Sequence, residues 1–235
     1  MHPHQEPPVN PLPPLVVAMA LGIFLIEVVF QAASRGFVGG PGGVSWRRDA
    51  LLQYGFSDPL FDRMLQLGVW DSEAVMRMLT YSFVHYSMAQ TLFLVVIVLA
   101  LGKWVSQHLP QWTILVIFMV SAVAGAVIYG LLFDTTAVLV GGYPGAYGLI
   151  GAFTFLLWTR LIETGGPQRR AFVLIGFLIG IQLLFGIVGG LLSKNAATIR
   201  LDWVADLAGF VIGFFVTILL SPGGWARMVD RLRQR

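Results

Sequence analysis

The sequence predicts an all-α, polytopic membrane protein built as a bundle of six spanning helices. Hydrophobic residues make up 57% of the chain and charged residues 11%, with mean hydropathy +0.78, a balance foreign to a soluble domain of ordinary composition. The apolar residues also gather into six stretches, at roughly 15–33, 87–105, 113–133, 145–158, 171–190 and 203–220. Most of these approach the ~20 residues needed to cross a bilayer.

Taken in order, residues 1–14 form a Pro-rich polar tail expected to be disordered. The stretch 15–33 follows neither a basic leader nor a small-residue cleavage site, so it reads as a true helix rather than a signal peptide. It opens a transmembrane domain spanning 15–221, after which 222–235 form a basic tail. The segment 34–76 is too long and too rich in Trp and Leu for a simple connector. Within it, 46–54 and 59–67 alternate apolar and charged residues at helical spacing, which suits short interfacial helices with Trp46 and Trp70 at headgroup depth. The fourth apolar stretch is only about 14 residues, reaching ~21 Å at 1.5 Å per residue against a core of ~30 Å. It is therefore expected to begin below the outer surface, and Pro144, tolerated in a first helical turn, places its start close to Tyr143. In the last stretch Gly209 and Gly213 form a small-xxx-small seam for close helix approach. Asp206, three and seven residues earlier, shares that face.

Basic residues fall unevenly across the links. Lys103, Arg160, Arg169 and Arg170 lie on one side together with Arg227, Arg231, Arg233 and Arg235 of the tail, whereas the opposite short links carry only Lys194 and Arg200. The positive-inside rule then makes both termini cytoplasmic, although the long first loop adds Arg35, Arg47, Arg48, Arg63 and Arg77 on the other side. Cysteine is absent, and His2, His4, His85 and His108 are too scattered for a convincing ligand set, so neither a metal nor a cofactor is expected. No basic stripe interleaved with aromatics marks a nucleic-acid surface. Glu27, well inside the first helix, is costly there: it is either functional or satisfied by a neighbouring loop or interface. Tyr129 and Gln182 are expected to make interhelical hydrogen bonds.

Three stretches carry a family resemblance: Leu79-Thr80-Tyr81-Ser82-Phe83-Val84-His85, Gly141-Gly142-Tyr143-Pro144-Gly145-Ala146-Tyr147-Gly148, and Ala205-Asp206-Leu207-Ala208-Gly209-Phe210-Val211-Ile212-Gly213. They resemble, in order, the Leu-Thr-x-x-Phe-x-His stretch, the Gly-x-Ser-Gly nucleophile motif and the Ala-His-x-x-Gly-x-x-x-Gly base motif of rhomboid intramembrane proteases. The resemblance implies a six-helix rhomboid-like bundle whose first loop is half-submerged. It also implies that Arg77 keeps the second half of a Trp-Arg pair whose first position is Met76, and that His85 is a structural histidine. Tyr143 stands at the serine position and Asp206 at the general-base position. Gln90 and Leu94 stand where a His and an Asn help hold the oxyanion. An amide N–H at Gln90 still offers a donor; Leu94 offers none.

Serine chemistry needs a hydroxyl with a base in reach. A phenol of reference pKa near 10 beside a weak carboxylate base is poorly suited to it. Ser121 is the sole serine well inside a predicted span, and an aspartyl mechanism wants a carboxyl pair that the inner helices lack. The expectation is a catalytically inactive, pseudoprotease-like member, an integral protein of a bacterial inner membrane, that binds transmembrane segments of other membrane proteins or serves as a subunit of a membrane complex. Two alternatives stand beside it. One is a rhomboid endopeptidase with unorthodox residues; the other is a transporter or channel using Glu27 and Asp206, for which no inverted repeat is visible. Tyr143 and Asp206 are further expected to form a hydrogen-bonded latch between the fourth and sixth helices, brought close by Gly145, Gly148, Gly209 and Gly213.

Overall fold

A computed structural model describes residues 11–192 and 202–223, with backbone alone at 183 and 185–192. The tail 1–10, Lys194, Arg200 and the arginines of 224–235 lie outside the described residues. The helices are α1 (Pro14–Ser34), α2 (Trp46–Tyr54), α3 (Asp58–Leu67), α4 (Ser72–Thr80), α5 (Met88–Ser106), α6 (Trp112–Leu132), α7 (Tyr143–Glu163), α8 (Val173–Leu192) and α9 (Asp202–Leu220). Five of them, α1, α5, α6, α7 and α9, are long and apolar enough to cross a membrane. The sixth expected span, α8, is 20 residues long without a charged side chain. Every apolar stretch is thus helical, and the first loop contains the short helices its spacing predicts.

One expectation fails. The helix beginning at Tyr143 is 21 residues long, not about 14. Arg160 ends the apolar run but not the helix, which continues through Leu161 and Ile162 to Glu163 and stops before Gly165, at φ +70°. At 1.5 Å per residue it spans ~31 Å, so length gives no reason for it to start below the membrane surface. Its start is where Pro144 placed it, with Pro in the first turn after the N-cap Gly142.

Glycines set the packing of the central layer. A Cβ on Gly209 would run into the carbonyl oxygen of Pro144, one on Gly213 into the backbone of Gly148, and one on Gly151 into the backbone of Phe210. These contacts advance together along both helices, so α7 and α9 run parallel with their backbones touching. On the other side, Gly125 of α6 meets Pro144, and Ser121 of α6 meets Gly148, an antiparallel pairing of α6 with α7. Leu94 beside Gly142 and Trp104 against Phe153 (centroids 4.7 Å) make α5 parallel to α7. Lys103 and Arg160, in the last turns of α5 and α7, accordingly share one end of the bundle with the Arg169-Arg170 turn that precedes α8. Around this layer Val16, Ile23, Leu94, Ile117, Leu149 and Ile218 form the main core.

The first loop is part of the fold. Phe61 and Phe56 pack on Gly130 of α6, and Phe56 exchanges two 3.0 Å backbone hydrogen bonds with Leu139 in the α6–α7 link. Arg77, 8% exposed, donates to the carbonyls of Leu52 (2.6 Å) and Gly55 (3.2 Å) and pairs with Glu73, which fastens the end of α2 to α4.

Glu27 also belongs to this layer. Its carboxylate is 1% exposed and receives both guanidinium nitrogens of Arg47 from α2, at 2.9 and 2.6 Å, together with Gln31 at 2.9 Å and Thr91 of α5 at 3.3 Å. Arg47 spends a further donor on the carbonyl of His85 (2.8 Å) and lies 5.4 Å over the Phe30 ring. Of the two readings of Glu27, the one satisfied by a neighbouring loop is the one observed. Breaking a buried pair leaves an uncompensated charge, so Arg47→Ala is expected to lower stability by about 3–5 kcal/mol. The double change Glu27→Leu/Arg47→Leu, which removes both charges, is expected to cost clearly less. Denaturant unfolding in mild detergent checks both.

Candidate functional site

The residues matched to catalytic positions converge where α5, α7, α8 and α9 meet the loop before α5. Gly141 adopts φ +101°, a conformation open to glycine and strained for other residues, and its N–H donates to the carbonyl of Tyr81 at 2.9 Å. The next N–H, of Gly142, donates to Nε2 of His85 at 3.3 Å. His85 is 2% exposed, and because Nε2 accepts the Gly142 N–H, its neutral form carries the proton on Nδ1. Burial, against the nearby charge of Glu27, pushes its pKa down from the usual value to about 4. Through its bond to Gly142, His85 ties the loop before α5 to the N-cap of α7.

Tyr143 is half-buried at the first position of α7. Its ring stacks on Phe93 of α5 (centroids 6.4 Å, interplanar angle 18°), and its hydroxyl donates to the backbone carbonyl of Gln90 at 3.0 Å. Asp206, 6% exposed, accepts from Nε2 of Gln182 on α8 at 2.8 Å. The expected latch between Tyr143 and Asp206 is therefore absent. Placing Tyr143 at the start of α7 directs its long side chain across to α5, beyond the carboxylate, whereas α8 supplies the donor that Asp206 needs. Gly145 is also corrected: it faces the Phe118 ring of α6 rather than α9, and Gly148, Gly151, Gly209 and Gly213 make the α7–α9 contact.

The matched oxyanion positions are equally specific in their contacts. Gln90 accepts from the Tyr86 N–H through Oε1 (2.9 Å), which leaves its amide nitrogen facing Gly141. Leu94, fully buried, fills the space beside Gly142 together with Phe118. Hydrocarbon thus lies where a second donor would be needed. The Ser121 hydroxyl is buried without a hydrogen-bond partner and packs against Gly148, with no base beside it among the described residues.

Sequence reasoning missed Arg47, although an acid inside a membrane helix demands a partner and the first loop offered five arginines. It also missed Phe118 and Gly151, whose roles appear only when neighbouring helices are placed.

A neutral buried histidine stabilises the fold above its unfolded pKa of ~6.5, and that contribution falls away as the pH drops toward the folded value of about 4. Thermal stability of the purified protein is expected to decline across this window by up to ~1.4 kcal/mol per pH unit beyond the decline in His85→Gln, whose side chain keeps an acceptor near Nε2 without titrating. Tyr143→Phe is expected to cost only about 0.5–1.5 kcal/mol, the net worth of one hydrogen bond to a helical carbonyl. Urea titration of the two proteins measures it.

A comparison with protein families bears on the fold. The Rhomboid domain model matches residues 72–223, which run from the start of α4 past the end of α9 and include every matched catalytic and oxyanion position. No curated protein matches the chain at a significant level. With the match covering well over half of the sequence, and with the three motifs meeting at one site of an all-α membrane bundle, the chain belongs to the rhomboid family.

Proposed function

We propose that this protein is a catalytically inactive rhomboid-family member that engages transmembrane segments of other membrane proteins, as a client-binding protein or as a subunit of a membrane complex. One observation carries the reading. The hydroxyl at the nucleophile position belongs to Tyr143 and is committed to the Gln90 carbonyl, while the group at the base position, Asp206, is committed to Gln182. A nucleophile must be hydrogen-bonded to the group that takes its proton, and here the two point to different helices. Leu94 beside Gly142 supports the same conclusion, because it offers no hydrogen to a developing oxyanion.

The binding half of the proposal draws on exposed apolar residues around the site. Phe93, 55% exposed, leads directly to the Tyr143 ring, and Leu92 and Val96 extend the same face of α5. In a bilayer this face meets lipid or another helix, where association depends on packing rather than on the hydrophobic effect. The basic end formed by Lys103, Arg160, Arg169 and Arg170 supports a cytoplasmic position for that end, and with it cytoplasmic termini. A transporter reading loses its main hint, since Glu27 is held by Arg47 instead of facing a pathway.

The test is an activity assay combined with native purification. The unmodified protein is expected to leave generic transmembrane substrates uncut and to remain unlabelled by fluorophosphonate probes. Tyr143→Ser alone is expected to stay inactive, because Asp206 is engaged by Gln182 and Leu94 is unchanged. Turnover by the unmodified protein that such probes inhibit overturns the inactive reading. Extraction in mild detergent is expected to recover a defined membrane-protein partner, and crosslinks from position 93 are expected to map to its transmembrane segment; a partner crosslinked only through the helical tips refutes the proposed binding face.

A further inference from the structure

Three aspartates far apart in sequence meet where the first loop lies against the α6–α7 link. Asp58 and Asp62 stand one turn apart at the start of α3, and Asp134 follows the end of α6; one carboxylate oxygen of each lies within 4.8 Å of the others. Asp58 is 1% exposed. Its Oδ2 accepts the Thr135 N–H at 2.7 Å, while its Oδ1 is buried with no hydrogen-bond partner. No basic side chain pairs with Asp58 among the described residues; Arg47 and Arg77 pair with Glu27 and Glu73 instead. Burial raises the pKa of Asp58, and the charges of Asp62 and Asp134 push it further up against the opposing Thr135 bond. A buried acceptor left without a partner is costly, and three carboxylates in one place repel.

We propose that Asp58, Asp62 and Asp134 form a binding site for a hard divalent cation, calcium by its ligand set and setting, that clasps α3 to the α6–α7 link. All-oxygen, all-carboxylate ligation suits calcium or magnesium rather than a softer metal. Ligands on a loop helix and on an exposed link also suit the flexible, irregular coordination of calcium better than the strict octahedron of magnesium. Asp62 is half-buried and Asp134 exposed, so the cluster opens outward to an arriving ion. The clasp lies a few residues from Leu139, which pairs with Phe56 and leads into Gly141, so an ion there steadies the approach to the candidate site from its loop side.

The experiment uses the full-length protein in detergent, stripped with chelator and followed by tryptophan fluorescence on heating. Calcium is expected to bind saturably with Kd on the order of 10⁻⁴ to 10⁻³ M. At about ten times Kd it should raise the Tm by ~3–6 °C over an ionic-strength control. Asp62→Asn and Asp134→Asn should abolish that response. Because each removes a repelling charge and no hydrogen bond, both variants should melt at or above the parent in chelator, which separates loss of the site from loss of the fold. No saturable shift up to ~10 mM calcium, well above the expected Kd, or an unchanged shift in both variants, overturns the site. An equal response to magnesium overturns the assignment to calcium.

Discussion

Backbone contact between α7 and α9 is the constraint around which the rest of the bundle is arranged. Lipid supplies no hydrophobic drive to push helices together, so their association relies on close packing. Gly209 and Gly213 provide it by pressing on Pro144 and Gly148, where any side chain would meet a carbonyl. That approach fixes the start of α7 within the protein, sets Tyr143 toward α5, and leaves Asp206 to be met from α8 by Gln182. The identity of the residues at the two matched catalytic positions follows the same logic. Each is a polar group inside an apolar bundle, and each finds its hydrogen-bond partner on a different neighbour.

A second, polar framework joins the loop side to this apolar centre. Glu27 of α1 holds Arg47 of α2, Arg47 holds the carbonyl of His85, and the His85 ring accepts the N–H of Gly142. Three covalently distant segments are thereby tied to the residue that caps α7. Buried ion pairs contribute little net stability compared with apolar packing, but they are specific in where they can form. Here the pair adds a fixed point to a long loop that also packs on α6 through Phe56 and Phe61. Gly141 and Gly142, held by Tyr81 and His85, thus set the backbone that delivers Tyr143 to the start of α7.

The loop itself illustrates how membrane proteins use polar groups at their margins. Arg77 collects the free carbonyls at the end of α2, and Asp71 caps α4 by accepting from the Glu73 N–H at 3.2 Å. Against this background of satisfied groups, the orphaned oxygen of Asp58 beside two further carboxylates stands apart.

The fold class, the helix positions and the family were legible in the sequence because they depend on local composition and short spacings. Apolar runs mark spans, Pro144 marks a first turn, and Gly209 with Gly213 marks a contact face. The length of α7 was misjudged because hydropathy ends at Arg160 while hydrogen bonding along the backbone continues to Glu163. Partnerships were beyond its reach. Glu27 with Arg47, Tyr143 with the Gln90 carbonyl, Asp206 with Gln182 and the gathering of Asp58, Asp62 and Asp134 each join residues 20 or more positions apart or depend on the direction of one side chain. A sequence states which groups need partners; only the packed helices decide which of them come within 3 Å of one another.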